Sequence, residues 1–208
     1  MIEEAPRTTE CLNRIRAGDT AALAELFEAH RPQLRRMVDL RLDRHVAARL
    51  DPSDVLQEVY LDMAGQMDAY LRKPRVAFYV WLRGLTWERL LKLHRRYLGA
   101  GCRTVIREQA LPLESSAALA GQLLARGPSP SEALVKQELR RRVQQALAKL
   151  AEEDREVILM RDFEDMTNGE VAQALALGAS GATMRYGRAI FRLKEILSAD
   201  WPAGESKP

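Results

Sequence analysis

Hydrophobic residues recur every three or four positions along the first half of the chain, which is the pattern of amphipathic helices. One stripe covers residues 19–42 and contains Pro32, where a proline can bend or split a helix. A second begins at Asp51, a capping residue followed by a proline suited to the first helical position. A third begins near residue 76. Since three such helices can share one core, residues 10–98 are predicted to form an all-α domain.

The pattern changes in the middle of the chain. Periodicity weakens after residue 98, and the run Gly-Pro-Ser-Pro at 127–130 is a strong break. We therefore predict a linker over residues 99–128. Helical spacing returns at Ser129, so residues 129–198 are predicted to form a second small helical domain. Residues 199–208 contain two prolines and are predicted to be a frayed tail.

The second domain contains a pattern typical of a helix-turn-helix. Thr167 and Glu170 have capping-box spacing and open a predicted helix over residues 168–177. Small Ala172 would let a second helix cross closely, and Gly178 would permit the sharp turn. The next helix would then be a recognition helix that enters the major groove of DNA. Its outward or flanking positions would be Ala179, Ser180, Thr183, Met184, Arg185, Gly187 and Arg188, with Arg192 and Lys194 beyond.

Hydroxyl, thioether and guanidinium groups suit such a surface, because they can contact base edges, thymine methyl groups and phosphates. A plain helical hairpin with solvated arginines remains the alternative to DNA binding.

Charges are segregated in the first domain. Residues 51–70 carry only acidic charges, whereas residues 72–107 carry ten Lys or Arg against one acid, Glu88. Aromatic residues interleave with the basic stretch, a combination that suits single-stranded or melted nucleic acid. The alternative is that Phe78 and Trp81 are core residues and that the charges form a solvated face. The acidic helix is either ordinary surface or a docking site for a basic protein partner.

Composition excludes several classes. The 208 residues carry a net charge of +3 with few aromatics, which fits a soluble, helical protein. Cys11 and Cys102 lie far apart without metal-site spacing, as expected of free thiols in a reducing compartment. No apolar run approaches the roughly 18 residues of a membrane span, and the N-terminus lacks a signal core. A cytoplasmic protein with no membrane association is predicted.

Taken in order, these segments resemble the sigma-70 family, specifically its small extracytoplasmic-function (ECF) group. The segment Asp-Pro-Ser-Asp-Val-Leu-Gln-Glu-Val-Tyr at 51–60 is similar to the family's core-binding helix. The segments Phe-Tyr-Val-Trp-Leu at 78–82 and His-Arg-Arg at 94–96 resemble the element that melts and reads the −10 promoter region. The resemblance covers nearly all of residues 10–198 and implies a two-domain, all-α fold whose second domain is sigma-4-like.

The resemblance implies an alternative sigma factor, which is not an enzyme and needs no cofactor or metal. Its partners would be promoter DNA and RNA polymerase core, contacted at the coiled coil of the largest subunit and at the flap; an anti-sigma factor would be a further partner. The resemblance implies that core polymerase is bound by Asp51, Asp54, Gln57 and Glu58. It implies that the −10 element is recognised by Arg72, Arg75, Trp81, Glu88, Lys92, Arg95 and Arg96. The −35 element would be read by Ser180, Thr183, Met184, Arg185 and Arg188.

Some positions depart from the family pattern. Glu88 stands where many members carry an Asn that contacts a −10 base, so the −10 preference is expected to differ. Ala176 stands where the turn usually has Gly. Gly178 stands where the next helix usually has a Ser cap, and glycine is tolerated as an N-cap residue. Gly187 removes a side chain that often helps to contact DNA.

Three other classes of protein remain as alternatives. An ordinary helix-turn-helix regulator would bind duplex DNA without core polymerase, and the acidic and basic helix pair argues against it. An all-α enzyme could be built around His30, His45 and His94, but their spacing matches no compact metal site. An adaptor that uses only the acidic helix would not need the basic aromatic stretch.

Overall fold

The computed structural model describes residues 4–42, 50–98, 142–143 and 145–199. All regular secondary structure within these ranges is helical, as the sequence predicts. The predicted linker over residues 99–128, the helix restart at Ser129 and residues 200–208 of the predicted tail lie outside the described ranges. The helices are α1 (Pro6–Arg16), α2 (Ala21–Arg41), α3 (Pro52–Arg72), α4 (Phe78–Leu98), α5 (Glu152–Asp162), α6 (Asn168–Ala174) and α7 (Ala179–Ala199), with further helical residues at 142–143 and 145–149.

The core of the first half lies between α2, α3 and α4. Each helix contributes the apolar stripe that its sequence shows, and every pair of these helices is in contact. Leu34, Val59, Met63, Phe78 and Leu82 are fully buried there. Burial of a large apolar side chain contributes about 1.5–3 kcal/mol, so this shared core stabilises all three helices together.

Helix α2 runs through Pro32 without interruption. A proline has no N–H to donate, so the carbonyl of residue 28 loses its usual partner. Both Glu28 and Pro32 lie on the exposed face, where water can take the place of the missing donor. The proline is therefore tolerated, and it does not split this helix.

Helix α1 is an element that the hydrophobic pattern did not reveal. It packs on α2 and buries Thr8, Cys11 and Leu12. Arg14 at its end donates to Glu25 of α2 at 2.6 Å and pairs with Asp19 at 2.7 Å. The oxygen Oδ1 of Asp19 also accepts from the backbone N–H of Ala21 at 3.0 Å, so Asp19 satisfies a backbone donor at the start of α2.

The second half is built on α5, α6 and α7. Ile158, Val171, Ala182 and Ala189 are fully buried where these helices meet, and Leu147 joins them from the preceding helical segment. Small residues on α7 allow the helices to approach closely. Helix α6 also packs against α4, so the described parts of the two halves are in direct contact.

Candidate nucleic-acid and polymerase interfaces

The turn between α6 and α7 has the geometry of a helix-turn-helix. The Thr167 hydroxyl accepts from the backbone N–H of Glu170 at 3.2 Å, and the Glu170 carboxylate accepts from the backbone N–H of Thr167 at 2.7 Å. This reciprocal pair is the predicted capping box. The side-chain amide of Asn168 donates to the carbonyl of Ala179 at 2.9 Å. The start of α6 is thereby tied to the start of α7.

The sharp turn depends on Ala176 and not on Gly178. Ala176 has a φ of 52°, in the left-handed region that penalises residues with a Cβ. Gly178 has an ordinary backbone and caps α7, since its carbonyl accepts from the N–H of Ala182 at 3.0 Å. The prediction that Gly178 permits the turn is therefore wrong, whereas its predicted substitution for a Ser cap is confirmed.

The outer face of α7 presents the predicted base-reading side chains. Ser180, Thr183, Met184 and Arg188 are exposed, and Met184 is exposed to 60%. The Thr183 hydroxyl donates to the carbonyl of Ala179 at 3.1 Å, which leaves its oxygen able to accept. A hydroxyl, a thioether and a guanidinium thus project from one helix face beyond a helix-turn-helix, as direct readout of a major groove requires.

Two arginines of α7 are held by carboxylates of α5. Arg185 is half-buried and pairs with Glu153 at 3.1 Å. Arg192 donates to Asp154, a buried carboxylate at the start of α5. These two arginines have partners within the protein, and Arg188 is the exposed guanidinium among the five residues predicted to read the −35 element.

The acidic helix α3 uses two of its predicted docking residues for its own N-terminus. The Asp51 carboxylate accepts from the N–H of Ser53 at 2.7 Å, and the Asp54 carboxylate accepts from the N–H of Asp51 at 3.3 Å. The backbone N–H of Ser53 holds the pKa of the Asp51 carboxyl below its ordinary value. Glu58 pairs with Arg89 of α4 at 3.1 Å. All three carboxylates still face the outside of the helix, at least in part.

Beside these carboxylates, α2 and α3 form an open groove of about 380 Å³. Gln57, the fourth predicted docking residue, lies on its wall and is exposed. Leu61 lies one helical turn further along and is exposed to 69%. Sequence reasoning missed Leu61, although a leucine at an outward position four residues after Gln57 was a readable signal. The lining residues are Ala24, Phe27, Glu28, Arg31, Leu56, Gln57, Tyr60 and Leu61.

The aromatic residues of the basic stretch are mostly structural. Phe78 and Tyr79 are buried, and Trp81 stacks on Tyr70 with 4.6 Å between ring centroids. The Tyr70 hydroxyl donates to the carbonyl of Val76 at 3.1 Å. Trp81 keeps a partly exposed surface, so among these four rings it is the one able to meet a base.

The basic side chains divide into exposed and internally paired groups. Arg83 is buried against Glu156 and Glu164, and Arg89 pairs with Asp62 and Glu58. These two arginines do not add to a nucleic-acid surface in this arrangement. The predicted −10 residues that are exposed are Arg72, Arg75, Glu88, Lys92, Arg95 and Arg96.

The structure describes two of the three histidines that an enzyme would use as metal ligands. His30 is half-buried, with Nε2 3.4 Å from the Thr8 hydroxyl and Nδ1 3.3 Å from Gln33. Burial lowers the pKa of its imidazole. His94 is buried in α4, and His45 lies outside the described ranges. Within the part of the chain that the structure describes, His, Cys, Asp and Glu form no group of three or more able to hold a metal ion.

The same part of the chain has no helix that combines the length and the apolar character needed to cross a bilayer.

The chain is similar to known proteins in sequence and in fold. Residues 140–193, which contain the helix-turn-helix, match the family model for sigma-70 region 4. The ECF RNA polymerase sigma factor SigD is 26% identical over 183 residues, both in Mycobacterium bovis and in Mycobacterium tuberculosis. These alignments span 88% of this chain and 80% of SigD. A solved structure of CnrH in complex with the cytosolic domain of CnrY has the same fold, with a TM-score of 0.57 and 19% identity; the match covers 94% of this chain and 99% of CnrH.

The region 4 match accounts for the helix-turn-helix, and the SigD alignments extend across both helical halves. A regulator with an unrelated first half is not favoured by alignments of that extent. Over both helical halves, the chain is therefore similar to the ECF sigma factors of the sigma-70 family.

Proposed function

We propose that this alternative sigma factor docks on RNA polymerase core through the groove-bearing face of α3, reads the −35 element with α7 and engages the melted −10 element with α4. The observation that carries the proposal is the exposed face of α7, which presents Ser180, Thr183, Met184 and Arg188 beyond a helix-turn-helix. No covalent step is required. We also place the protein in the cytoplasm, where core polymerase and promoter DNA are found.

Recognition of the −35 element follows from the chemistry of α7. Ser180 can accept from or donate to base edges, Thr183 can accept from them, and Met184 can contact a thymine methyl group. Arg188 is extended along the helix, with Nε 3.4 Å from the carbonyl of Met184, and its charge is available to guanine or phosphate. Arg185 would reach DNA only by giving up Glu153, so we assign it a weaker role.

Docking on core is assigned to two features of α3. The carboxylates of Asp51, Asp54 and Glu58 offer negative charge to a basic partner. The adjoining groove offers apolar contact, with Leu61 at its edge. An apolar anchor with a charged rim is the usual anatomy of a protein interface. We identify the partner as the coiled coil of the largest polymerase subunit, with the second half contacting the flap.

Engagement of the −10 element is assigned to the exposed cations of α4 and the segment before it. Lys92, Arg95 and Arg96 form a basic end of this helix, where a displaced single strand would be attracted. Trp81 offers the partly exposed ring on which a base could stack. Glu88 lies among these cations and repels phosphate, so we expect it to shape which base is accepted. Binding would offset an unstacking cost of a few kcal/mol per flipped base.

A regulatory partner is also proposed. CnrH was solved in complex with the cytosolic domain of CnrY, and the two chains share a fold. We propose that this sigma factor is likewise held by an anti-sigma factor.

The test is transcription from genomic DNA of the source organism with its own core polymerase, followed by sequencing of the 5′ ends. New start sites that share two upstream motifs at fixed spacing are expected. Gln57→Ala combined with Leu61→Asp should abolish these starts, because both residues lie at the groove and neither caps a helix. Gln66→Ala, exposed on the same helix, is the matched control and should initiate normally. Absence of new starts, with no comigration with core, would refute the proposal.

The −35 role of Arg188 has a separate test on duplex DNA that carries the recovered motif. Arg188→Ala should lower the slope of log K against log salt by about one, since one phosphate contact is lost. Arg16→Ala, at an exposed position of α1, should leave the slope unchanged. An unchanged slope in Arg188→Ala would remove the phosphate contact from the proposal.

A further inference from the structure

Helix α4 begins without a capping side chain of its own. The carbonyl of Ala77 accepts the first hydrogen bond of the helix, from the N–H of Trp81 at 3.0 Å. The N–H groups at the start of a helix have no acceptor within it, and a neighbouring Ser, Thr, Asn or Asp usually satisfies one of them. The preceding residues, Lys-Pro-Arg-Val-Ala at 73–77, include none of these. An acceptor therefore has to come from another part of the protein or from water.

One acceptor is Glu4, which lies two residues before α1. Its Oε1 atom accepts from the backbone N–H of Phe78 at 2.6 Å, across 74 positions of the chain. A carboxylate suits this place, because the first turn of a helix carries partial positive charge. A second acceptor comes from α6, where Gln173 accepts from the N–H of Ala77 at 2.6 Å. Glu4 is thus a cap supplied from within the same half of the chain as α4.

The same carboxylate oxygen lies beside the rings that support Trp81. Oε1 of Glu4 is 3.3 Å from the hydroxyl of Tyr70, whose ring stacks on Trp81 with 4.6 Å between centroids and 22° between planes. Phe78 packs against both rings, with its centroid 5.7 Å from each. One side chain therefore contacts both the helical turn that carries Trp81 and the ring on which Trp81 stacks.

The Glu4 carboxyl is held in this position from both sides. Burial raises its pKa, while the N–H of Phe78 and the hydroxyl of Tyr70 act in the opposite direction. A carboxylate that leaves water is destabilised unless it gains hydrogen bonds, and these two groups supply them. On the other side, α1 begins at Pro6 and packs on α2, which fixes the backbone next to residue 4. The side chain of residue 4 therefore has a defined reach.

A fixed Trp81 matters for the task assigned to it. Trp81 is the partly exposed ring on which a base of the melted −10 element would stack. A side chain that becomes ordered only when it binds loses conformational entropy at that moment, whereas a ring already held in place does not. The contacts of Glu4 order this ring before DNA arrives.

We propose that Glu4 is a positioning residue for −10 engagement, which fixes the first turn of α4 and the Tyr70 ring and so holds Trp81 ready for the base. The role in engaging DNA rests on the proposed function, whereas the cap itself does not. Glu4 acts through Trp81 and touches no DNA in this assignment.

Hydrogen exchange of the backbone amides at 78–82 in the full chain tests the cap. Loss of a cap of ordinary strength raises the open fraction of the first turn about fivefold, so Glu4→Ala should speed exchange by that factor. Glu4→Asp keeps the charge but is one methylene shorter, so it should also speed exchange. Glu4→Gln keeps an oxygen at the same reach and should stay closer to the parent rate than Glu4→Asp does. Glu10→Ala removes an exposed carboxylate of α1 and is the matched control, with no change expected.

The order of the variants separates a hydrogen bond of fixed reach from an effect of charge alone. Parent-rate exchange in Glu4→Ala would overturn the cap, and so would equal acceleration in Glu10→Ala. Exchange in Glu4→Asp that is closer to the parent than in Glu4→Gln would also overturn it. If Glu4→Ala fails to fold, the comparison of Glu4→Asp with Glu4→Gln decides.

Initiation on two templates tests the positioning role. One template is fully duplex, and the other holds the −10 segment open with mismatched bases. Glu4→Ala and Trp81→Ala should both lose initiation on the duplex and recover on the opened template, because there the base no longer has to be unstacked. Glu10→Ala should initiate normally on both.

The same assay separates the positioning role from the proposed function. For Glu4→Ala, an equal loss on the two templates would indicate general destabilisation and would overturn the positioning role, as would unchanged initiation on the duplex. If the parent chain initiates on neither template, the proposed function fails, and the exchange data alone decide whether Glu4 caps α4.

Discussion

The left-handed backbone at Ala176 gives a prediction with an unusual sign. A non-glycine residue in this conformation costs roughly 1–2 kcal/mol, because its Cβ approaches the following carbonyl oxygen. Glycine avoids this cost, but it loses more conformational entropy on folding. That loss cancels about 0.5–1 kcal/mol of the stabilisation. The Ala176 side chain is exposed, so its methyl group contributes little packing. Ala176→Gly should therefore raise the free energy of unfolding by about 0.5–1 kcal/mol.

Urea unfolding followed by circular dichroism measures this change, and thermal unfolding should show a rise of about 1–4 °C. Ala29→Gly is the matched control, since Ala29 is exposed inside α2 and loses the same methyl group. That substitution should destabilise the protein by about 1 kcal/mol. A neutral or destabilising result for Ala176→Gly, alongside the expected loss in Ala29→Gly, would refute the reasoning from backbone geometry.

Three further predictions concern stability. Thr167→Ala removes the capping box of α6 and should cost about 1 kcal/mol in urea unfolding, whereas Thr167→Ser should cost much less; equal losses would argue against the cap. Met63→Ala empties a fully buried position and should cost about 2–5 kcal/mol, and a loss below 1 kcal/mol would mean that the core repacks freely. Acid should weaken the junction between the halves: Glu164 faces Arg41, Arg83, Glu156 and Tyr79, and its pKa lies below the ordinary 4.5, near 2. Its stabilisation is complete above pH 4.5 and is lost as pH falls towards 2, so Glu164→Gln should flatten the fall in unfolding free energy over that range.

The features that sequence reasoning predicted are local ones. The apolar stripes of α2, α3 and α4, the capping box at Thr167 and the outward positions of α7 all depend on residues within a few turns of each other. Helix α1 was not predicted, because its buried face includes the polar residue Thr8 and the small Cys11, which weaken its hydrophobic stripe. The pattern also left open whether Pro32 splits α2, because it does not show that Glu28 and Pro32 lie on the exposed face of the helix.

The features that sequence reasoning missed depend on how distant segments meet. Arg83 and Glu164 are 81 positions apart, and nothing along the chain indicates that they pair. Arg83 and Arg89 were counted with a nucleic-acid surface, because a helix sequence shows which face is polar but not which polar face another element covers. The groove beside Gln57 likewise needs two helices to define it.

The carboxylates of α5 have a consequence for how this protein searches a genome. Glu153 and Asp154 compensate Arg185 and Arg192 on the helix assigned to DNA, so that helix offers less uncompensated charge to random phosphates. Non-specific affinity is almost wholly electrostatic and rises with each phosphate neutralised. A free copy of the protein is thus expected to spend little time on arbitrary sequences.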